Sequence, residues 1–130
     1  MKYLAAPVVF MLAALPVGAD SIKEIKLEAG KAFFEKECRR CHAVGAEDPS
    51  YGPLLENVVG RKAGSVEGYE YSDALASSGI VWTPAALRAW LEDNDGFMPG
   101  TKMRHVGIED RTVQDFILTY LENKSGIAAD

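Results

Sequence analysis

Apolar residues recur at helical spacing near the end of the chain and predict its clearest helix. Five of them stand at positions i, i+3, i+4, i+7 and i+8, namely Val113, Phe116, Ile117, Tyr120 and Leu121. This spacing puts the five side chains on one face of an α-helix, where a protein core can bury them. Gly126 follows the run and is typical of a helix C-terminus.

A helix is also predicted over residues 24–37. In this pattern Leu27 and Phe34 fall near the same face as Cys38 and Cys41, which follow the segment. Both thiols are therefore expected at the C-terminal end of this helix.

Two shorter helices are predicted in the middle of the chain, each with a capping signal. The first covers residues 72–78, with a serine as cap and a glycine as stop. The second starts at Thr83 and Pro84, a cap followed by proline at the first helical position, and ends at residues 94–96, Asn-Asp-Gly. Its apolar residues recur at i, i+3 and i+4, namely Leu87, Trp90 and Leu91. No run alternates as a strand, so the pattern predicts an all-α fold of about four helices.

Composition fits one small globular domain. The chain has 130 residues, of which 48% are hydrophobic and 25% are charged, which leaves no room for a second domain. It carries 14 basic and 19 acidic residues, so its formal net charge is -5. Binding to phosphates needs a cationic surface, so we expect no nucleic-acid partner.

The first 19 residues have the composition of an export signal. Lys2 is followed by no other charge until Asp20, and small residues at positions 17–19 suit cleavage after Ala19. An uncleaved membrane anchor is the alternative, although this stretch is slightly short for a span and contains two prolines. We therefore predict a signal peptide at residues 1–19 and an exported domain at residues 20–130.

Cys38, Cys41 and His42 form a Cys-x-x-Cys-His sequence with the only two cysteines of the chain. A disulfide across two spacers would close a very small loop and stabilise little. A thioredoxin-like redox pair needs a βαβ context, and a zinc site needs four ligands where only one further histidine, His105, is present. Covalent c-type haem uses all three residues, because the thiols add to the vinyl groups and the histidine ligates the iron. We expect haem, with the redox pair and the zinc site as alternatives.

The iron of such a haem has a sixth position, for which Met98, Met103 and His105 are the candidates outside the export segment. Met98 stands between a phenylalanine and a proline, which suits packing. Met103 ends an extended stretch, Pro-Gly-Thr-Lys, that can carry a thioether across a flat haem face. His105 lies two residues further along, which turns it away from the iron axis; we expect it to be a titratable residue at the haem edge.

Residues 43–71 have no regular pattern and contain five glycines and two prolines. A structureless segment of this length is uncommon inside a compact domain unless it is functional. A haem resolves the difficulty, because its large apolar ring supplies a core on which the segment packs.

With these motifs in order, the chain resembles class I cytochromes c, in the bacterial group closest to mitochondrial cytochrome c. The resemblance covers roughly residues 27–124. Besides the cysteine motif it is carried by Tyr51-Gly52-Pro53-Leu54, Gly60-Arg61-Lys62-Ala63-Gly64, Tyr69-Glu70-Tyr71-Ser72-Asp73-Ala74, Gly79-Ile80-Val81-Trp82 and Pro99-Gly100-Thr101-Lys102-Met103. It implies the small cytochrome c fold, with long loops around one haem attached through Cys38 and Cys41.

The resemblance also implies roles for single residues. His42 and Met103 would be the axial ligands, and the carbonyl of Pro53 would orient the His42 ring by accepting a hydrogen bond from its free nitrogen. A buried haem propionate needs hydrogen-bond donors, and the residues in the matching positions are Arg61, Tyr71 and Trp82. Trp90 and Thr101 would contact the haem. Three residues would lie where the first and last helices cross, namely Gly30, Phe34 and Tyr120.

Three residues depart from the family pattern around the distal side. Leu75 stands where an asparagine is common, and Trp90 replaces a tyrosine next to the methionine sulfur. His105 stands where a phenylalanine usually covers the exposed haem edge. These changes leave the haem site intact and bear on its reduction potential and its partner.

The function expected from the resemblance is one-electron transfer. Two axial ligands leave no place for a substrate, and methionine ligation favours the ferrous state. We therefore expect a monomeric carrier in the periplasm and not an enzyme, with redox complexes or dehydrogenases as donors and acceptors. It would touch the inner membrane only if the export segment stays attached. The alternative is a ligand-binding or sensing haem protein with a labile Met103 bond.

Charges near the predicted haem edge are mixed. The basic residues expected there are Arg39, Arg40, Lys102 and Arg104. The acidic residues expected there are Glu37, Asp95, Glu109 and Asp110. Because steering needs a coherent field over the approach face, we expect weak steering toward acidic partners.

Overall fold

The computed structural model describes residues 18–43 and 51–126, and this part of the chain contains five α-helices. They are α1 (Ala19–Glu37), α2 (Asp73–Ser77), α3 (Pro84–Glu92), α4 (Asn94–Phe97) and α5 (Arg111–Lys124). The described residues form no strand, and their one isolated β-bridge joins Lys62 and Val81. The all-α prediction is therefore confirmed.

The predicted export segment lies almost wholly outside the described residues. Residues 1–17 are not described, so the signal peptide and its cleavage after Ala19 stay predictions. Within residues 18–43 and 51–126, no helix is long and apolar enough to cross a membrane.

The first and last helices cross at a glycine, as the resemblance implies. A Cβ atom on Gly30 would overlap the backbone carbonyl of Phe116 in α5, so glycine is needed for this close approach. The rings of Phe34 and Tyr120 meet there with their centroids 5.2 Å apart. Ile117 of α5 is fully buried. This crossing fixes the C-terminal end of α1, directly before the two cysteines.

The start of α1 was predicted too late. The helix begins at Ala19, whereas the apolar pattern predicted a start at residue 24. The side chains of residues 20–26 are all exposed, so no apolar face marks these turns in the sequence. Asp20 in the first turn favours the helix through the positive end of its dipole.

The helix stop predicted at residues 94–96 is correct for α3, but these residues also form a further short helix, α4. Thr83 Oγ1 caps α3 by accepting the Ala86 N–H at 3.1 Å, and the helix ends at Glu92. Asp93 Oδ1 then accepts the Gly96 N–H at 2.9 Å and caps the four-residue helix α4. The four residues of α4 carry no apolar period, which explains why the sequence pattern did not predict the helix.

The irregular segment before α2 is held by the chain that joins α2 to α3. The Trp82 N–H donates to the Arg61 carbonyl at 2.9 Å, and the Ala63 N–H donates to the Ile80 carbonyl at 2.9 Å. Val58 buries its side chain in the core. This segment and the chain after α4 enclose a cleft against α3 and α5.

Candidate functional site

One cleft collects the residues that the sequence analysis selected. Its walls come from the end of α1, residues 51–61, residues 69–75, α3, α5, and residues 101–108, which we call the strap. All ten predicted site residues line it, namely Cys38, Cys41, His42, Pro53, Arg61, Tyr71, Trp82, Trp90, Thr101 and Met103. The apolar part of its wall is formed by Leu55, Val58, Leu75, Leu87, Leu91, Ile117 and Leu121.

The end of α1 delivers both cysteines. Cys38 caps the helix, and its N–H donates to the Phe34 carbonyl at 2.9 Å. The amides of Cys41 and His42 then donate back to the Cys38 carbonyl at 3.1 and 2.9 Å. This turn brings both thiols and the imidazole to one wall of the cleft. Burial raises the pKa of the Cys38 thiol to about 12, so that it is protonated at neutral pH until it is modified.

His42 is buried and its ring orientation is fixed. Nδ1 lies 2.6 Å from the Pro53 carbonyl oxygen, which only accepts, so Nδ1 carries the proton and donates. Burial lowers the pKa of His42, which favours the neutral ring. A Cβ atom on Gly52 would overlap the His42 ring, so this close contact also needs glycine. The ring therefore keeps Nε2 for a ligand bond.

The Arg39 side chain stabilises the turn that carries the two cysteines. Its Nη1 donates to the His42 carbonyl at 3.1 Å, and its Nη2 lies 2.7 Å from Glu56 Oε1. The guanidinium also lies over the Phe34 ring, 4.8 Å from its centroid. The Arg39 side chain is only 19% exposed, so the expectation that it belongs to the charged front is wrong. Nothing in the sequence links Arg39 to Glu56, because Arg39 is a spacer residue of the cysteine motif and Glu56 belongs to no motif.

The strap brings Met103 to the opposite wall. Asn94, which is buried, donates from Nδ2 to the Met103 carbonyl at 2.9 Å. The Met103 N–H donates to Thr101 Oγ1 at 3.3 Å. The indole Nε1 of Trp90 donates to the Met103 sulfur at 2.9 Å. Asn94 was not selected from the sequence, where it appeared only as part of a helix stop.

Arg61, Tyr71 and Trp82 lie on the cleft wall, with different hydrogen-bond partners. Arg61 donates to the backbone carbonyls of Glu56 and Leu54, both at 2.9 Å. It has no ion-pair partner in the described part of the chain, and burial lowers its pKa. The Tyr71 hydroxyl accepts the Val66 N–H at 3.3 Å. The indole N–H of Trp82 has no acceptor within residues 18–43 and 51–126, which leaves it available as a donor.

Met98, His105 and Leu75 occupy different positions relative to the cleft. Met98 belongs to the buried core and does not line the cleft. His105 lines the cleft, and its Nδ1 accepts the Gly107 N–H at 3.1 Å. Leu75 adds an apolar side chain to the wall.

The chemistry of these donors fits a covalently attached haem. A flat apolar ring needs an apolar cleft, two thiols to attach it and ligand atoms for its iron; Cys38, Cys41, His42 and Met103 all line this cleft and would supply them. A propionate would complete the ion pairing of Arg61. A zinc site is not supported, because no three His, Cys, Asp or Glu side chains of the described residues cluster to hold a metal ion.

Comparison with known proteins gives one consistent result. The family description Cytochrome c matches residues 27–124. The chain is similar to cytochrome c2 of Rhodomicrobium vannielii, with 41% identity over 75% of this chain and 78% of that protein. It is similar to cytochrome c-550 of Nitrobacter winogradskyi, with 42% identity over 73% of this chain and 87% of that protein. A solved structure, cytochrome cH from Methylobacterium extorquens, aligns with a TM-score of 0.67 and 43% identity, covering 75% of this chain and 97% of that one.

Proposed function

This chain belongs to the cytochrome c family, and from that premise we propose that it carries single electrons with His42 and Met103 as the axial ligands of its haem. It is an electron-carrying haem protein, with haem c attached covalently through Cys38 and Cys41. The haem iron supplies the one-electron couple. The protein residues bind it, orient its ligands and exclude water.

This proposal rests on one observation. His42 and Met103 line the same apolar cleft, and each side chain keeps an atom that is able to bind the iron. The hydrogen bond from His42 Nδ1 to Pro53 leaves Nε2 for the iron. A thioether sulfur has two lone pairs, and the hydrogen bond from Trp90 uses one of them. Met98 does not line the cleft, because its side chain is part of the buried core.

The rival function is a haem protein that binds or senses small ligands. One observation favours it: the Trp90 N–H draws electron density from the Met103 sulfur and so weakens it as a donor. Four hydrogen bonds that tie the strap to other segments oppose it, because they hold Met103 in place: those of Asn94, Ile108, Tyr51 and Lys102. With both axial positions filled, no substrate reaches the iron, and we therefore propose a carrier without an enzymatic activity of its own.

Redox proteins are the proposed partners, with docking at the exposed haem edge. Arg104 Nη1 lies 3.7 Å from Asp95 Oδ1, whereas Lys102 donates to the Glu70 carbonyl and Arg61 has no ion pair in the described residues, so the charges near the cleft are mixed and only partly paired. We propose that recognition rests on apolar contact more than on charge. The export pattern of residues 1–19 supports a periplasmic carrier, which we expect to be a monomer.

Spectroelectrochemistry with carbon monoxide tests this function. We expect one reversible one-electron transition of a low-spin haem, and a ferrous protein that does not bind carbon monoxide readily. Rapid carbon monoxide binding would instead establish the rival ligand-binding function.

A further inference from the structure

The strap carries Met103 across the cleft without regular secondary structure, so its position depends on a few tethers. On the side of α3 and α4, Asn94 donates to the Met103 carbonyl, and the Ile108 N–H donates to the Leu91 carbonyl at 2.7 Å. On the other side, the strap reaches residues that belong to the opposite wall.

The hydroxyl of Tyr51 makes that second attachment. Tyr51 Oη donates to the Lys102 carbonyl at 3.1 Å, across 51 positions of sequence, and Lys102 directly precedes Met103. The Lys102 ammonium adds a separate bond, to the Glu70 carbonyl at 2.7 Å. The main chain of Tyr51 is held in turn, because Tyr69 Oη donates to the Tyr51 carbonyl at 2.8 Å.

The two residues after Tyr51 contact the opposite ligand. The Gly52 N–H donates to the Cys41 carbonyl at 2.7 Å, and the Pro53 carbonyl accepts from His42 Nδ1 at 2.6 Å. One tripeptide, residues 51–53, therefore touches His42 through its backbone and the strap through a side chain. The two ligand-bearing segments are joined at this point by the Tyr51 hydroxyl.

We propose that Tyr51 is a positioning residue for Met103: its hydroxyl ties the strap to the segment that orients His42 and so resists replacement of the thioether by other ligands. This inference rests on the proposed ligation by Met103. Because the carbonyl it binds is adjacent to Met103, release of that carbonyl leaves the strap held on that side by the Lys102 ammonium alone, through a flexible side chain.

The test is imidazole binding to the ferric holoprotein at pH 7, in the wild type and in Tyr51→Phe. Phenylalanine keeps the ring and removes only the hydroxyl of a side chain that is 61% exposed, so the variant folds. Loss of one exposed hydrogen bond predicts imidazole affinity about threefold to fivefold higher, followed by disappearance of the methionine-to-iron charge-transfer band. Amide exchange at Lys102 and Met103 should accelerate in the same variant.

Tyr120→Phe is the matched control, because Tyr120 is buried between α1 and α5, away from the strap. It should leave imidazole affinity unchanged whatever its effect on the free energy of unfolding. Wild-type imidazole affinity in Tyr51→Phe, with the charge-transfer band intact, would overturn the positioning role and leave the proposed ligation standing. A wild-type protein without the band would overturn the ligation itself.

Discussion

At the scale of single residues, the hydrogen bonds to the two proposed ligands decide how the site behaves. His42 has its proton fixed on Nδ1 by the Pro53 carbonyl, which raises the basicity of the ring. Met103 accepts a hydrogen bond from the Trp90 indole, which lowers the electron density on its sulfur. The first interaction strengthens its ligand as a donor and the second weakens its ligand, so they affect the reduction potential in opposite directions.

Trp90→Phe should lower the reduction potential. The variant removes the N–H that withdraws electron density from Met103, and a more electron-rich sulfur stabilises the ferric state. One lost hydrogen bond predicts a shift of about 20–60 mV downward by voltammetry. Phe97→Leu is the control, since Phe97 packs edge-on against Trp90 at 6.2 Å between centroids and donates no hydrogen bond to the sulfur. A shift of the same size in both variants would assign the effect to packing.

The sequence pattern selected ten residues that line the cleft, but it did not show the contacts that position them. The cysteine motif and the Pro-Gly-Thr-Lys-Met stretch have fixed spacings, and a spacing is visible in a sequence. Arg39 and Glu56 meet across 17 positions, and Tyr51 and Lys102 meet across 51. Such pairs form only after the chain folds, and charged or phenolic side chains at these places equally suit an exposed loop.

At the scale of elements, the helices predicted best are those with both an apolar stripe and a cap. α5 has its stripe, and Asp110 Oδ1 caps it by accepting the N–H groups of Thr112 and Val113. α1 extends beyond its prediction through turns that bury nothing, and α4 is too short to show a period. The Asp93 cap starts α4, whereas α1 starts without a side-chain cap, and apolar spacing reveals neither stretch.

The Arg39–Glu56 ion pair joins the end of α1 to the irregular segment before α2. The variant Glu56→Gln tests how much this pair contributes to stability. Burial is the largest single influence and opposes ionisation of Glu56, but the hydrogen bond and charge of Arg39, the Glu56 backbone N–H and the charge of Lys124 together lower the pKa of the carboxyl. A lowered folded-state pKa stabilises the protein above the unfolded-state value of about 4.3. This contribution is lost as pH falls through the folded-state pKa.

We therefore expect Glu56→Gln to lower the free energy of unfolding by about 1–2 kcal/mol at pH 7, measured by urea titration. The difference from wild type should shrink toward pH 3. Glu109→Gln is the control, because Glu109 is exposed and has no ion pair in the described part of the chain. A deficit that persists unchanged at low pH would show that packing, and not the charge, is responsible.

At the scale of the whole molecule, the net charge of -5 and the mixture of basic and acidic residues near the cleft predict weak electrostatic steering toward an acidic partner. Stopped-flow electron transfer with an acidic partner should change less than about threefold over a tenfold range of salt, where steered association changes by about 10-fold or more. Asp95→Asn frees Arg104 and should steepen the salt dependence, whereas Glu67→Gln, an exposed carboxylate off the cleft wall, should not. A steep fall in the wild-type rate would mean that the basic residues act as one patch.

The central claim is that Met103, and not Met98, completes the haem site of an electron carrier. The most direct measurement is the methionine-to-iron charge-transfer band of the ferric protein in Met103→Ala and in Met98→Ala. Met103→Ala should keep one covalent haem by mass spectrometry but lose the band and become high-spin. Met98→Ala should keep the band and lose about 2–4 kcal/mol of stability through the cavity it leaves in the core. A band that survives in Met103→Ala and disappears in Met98→Ala would contradict the account.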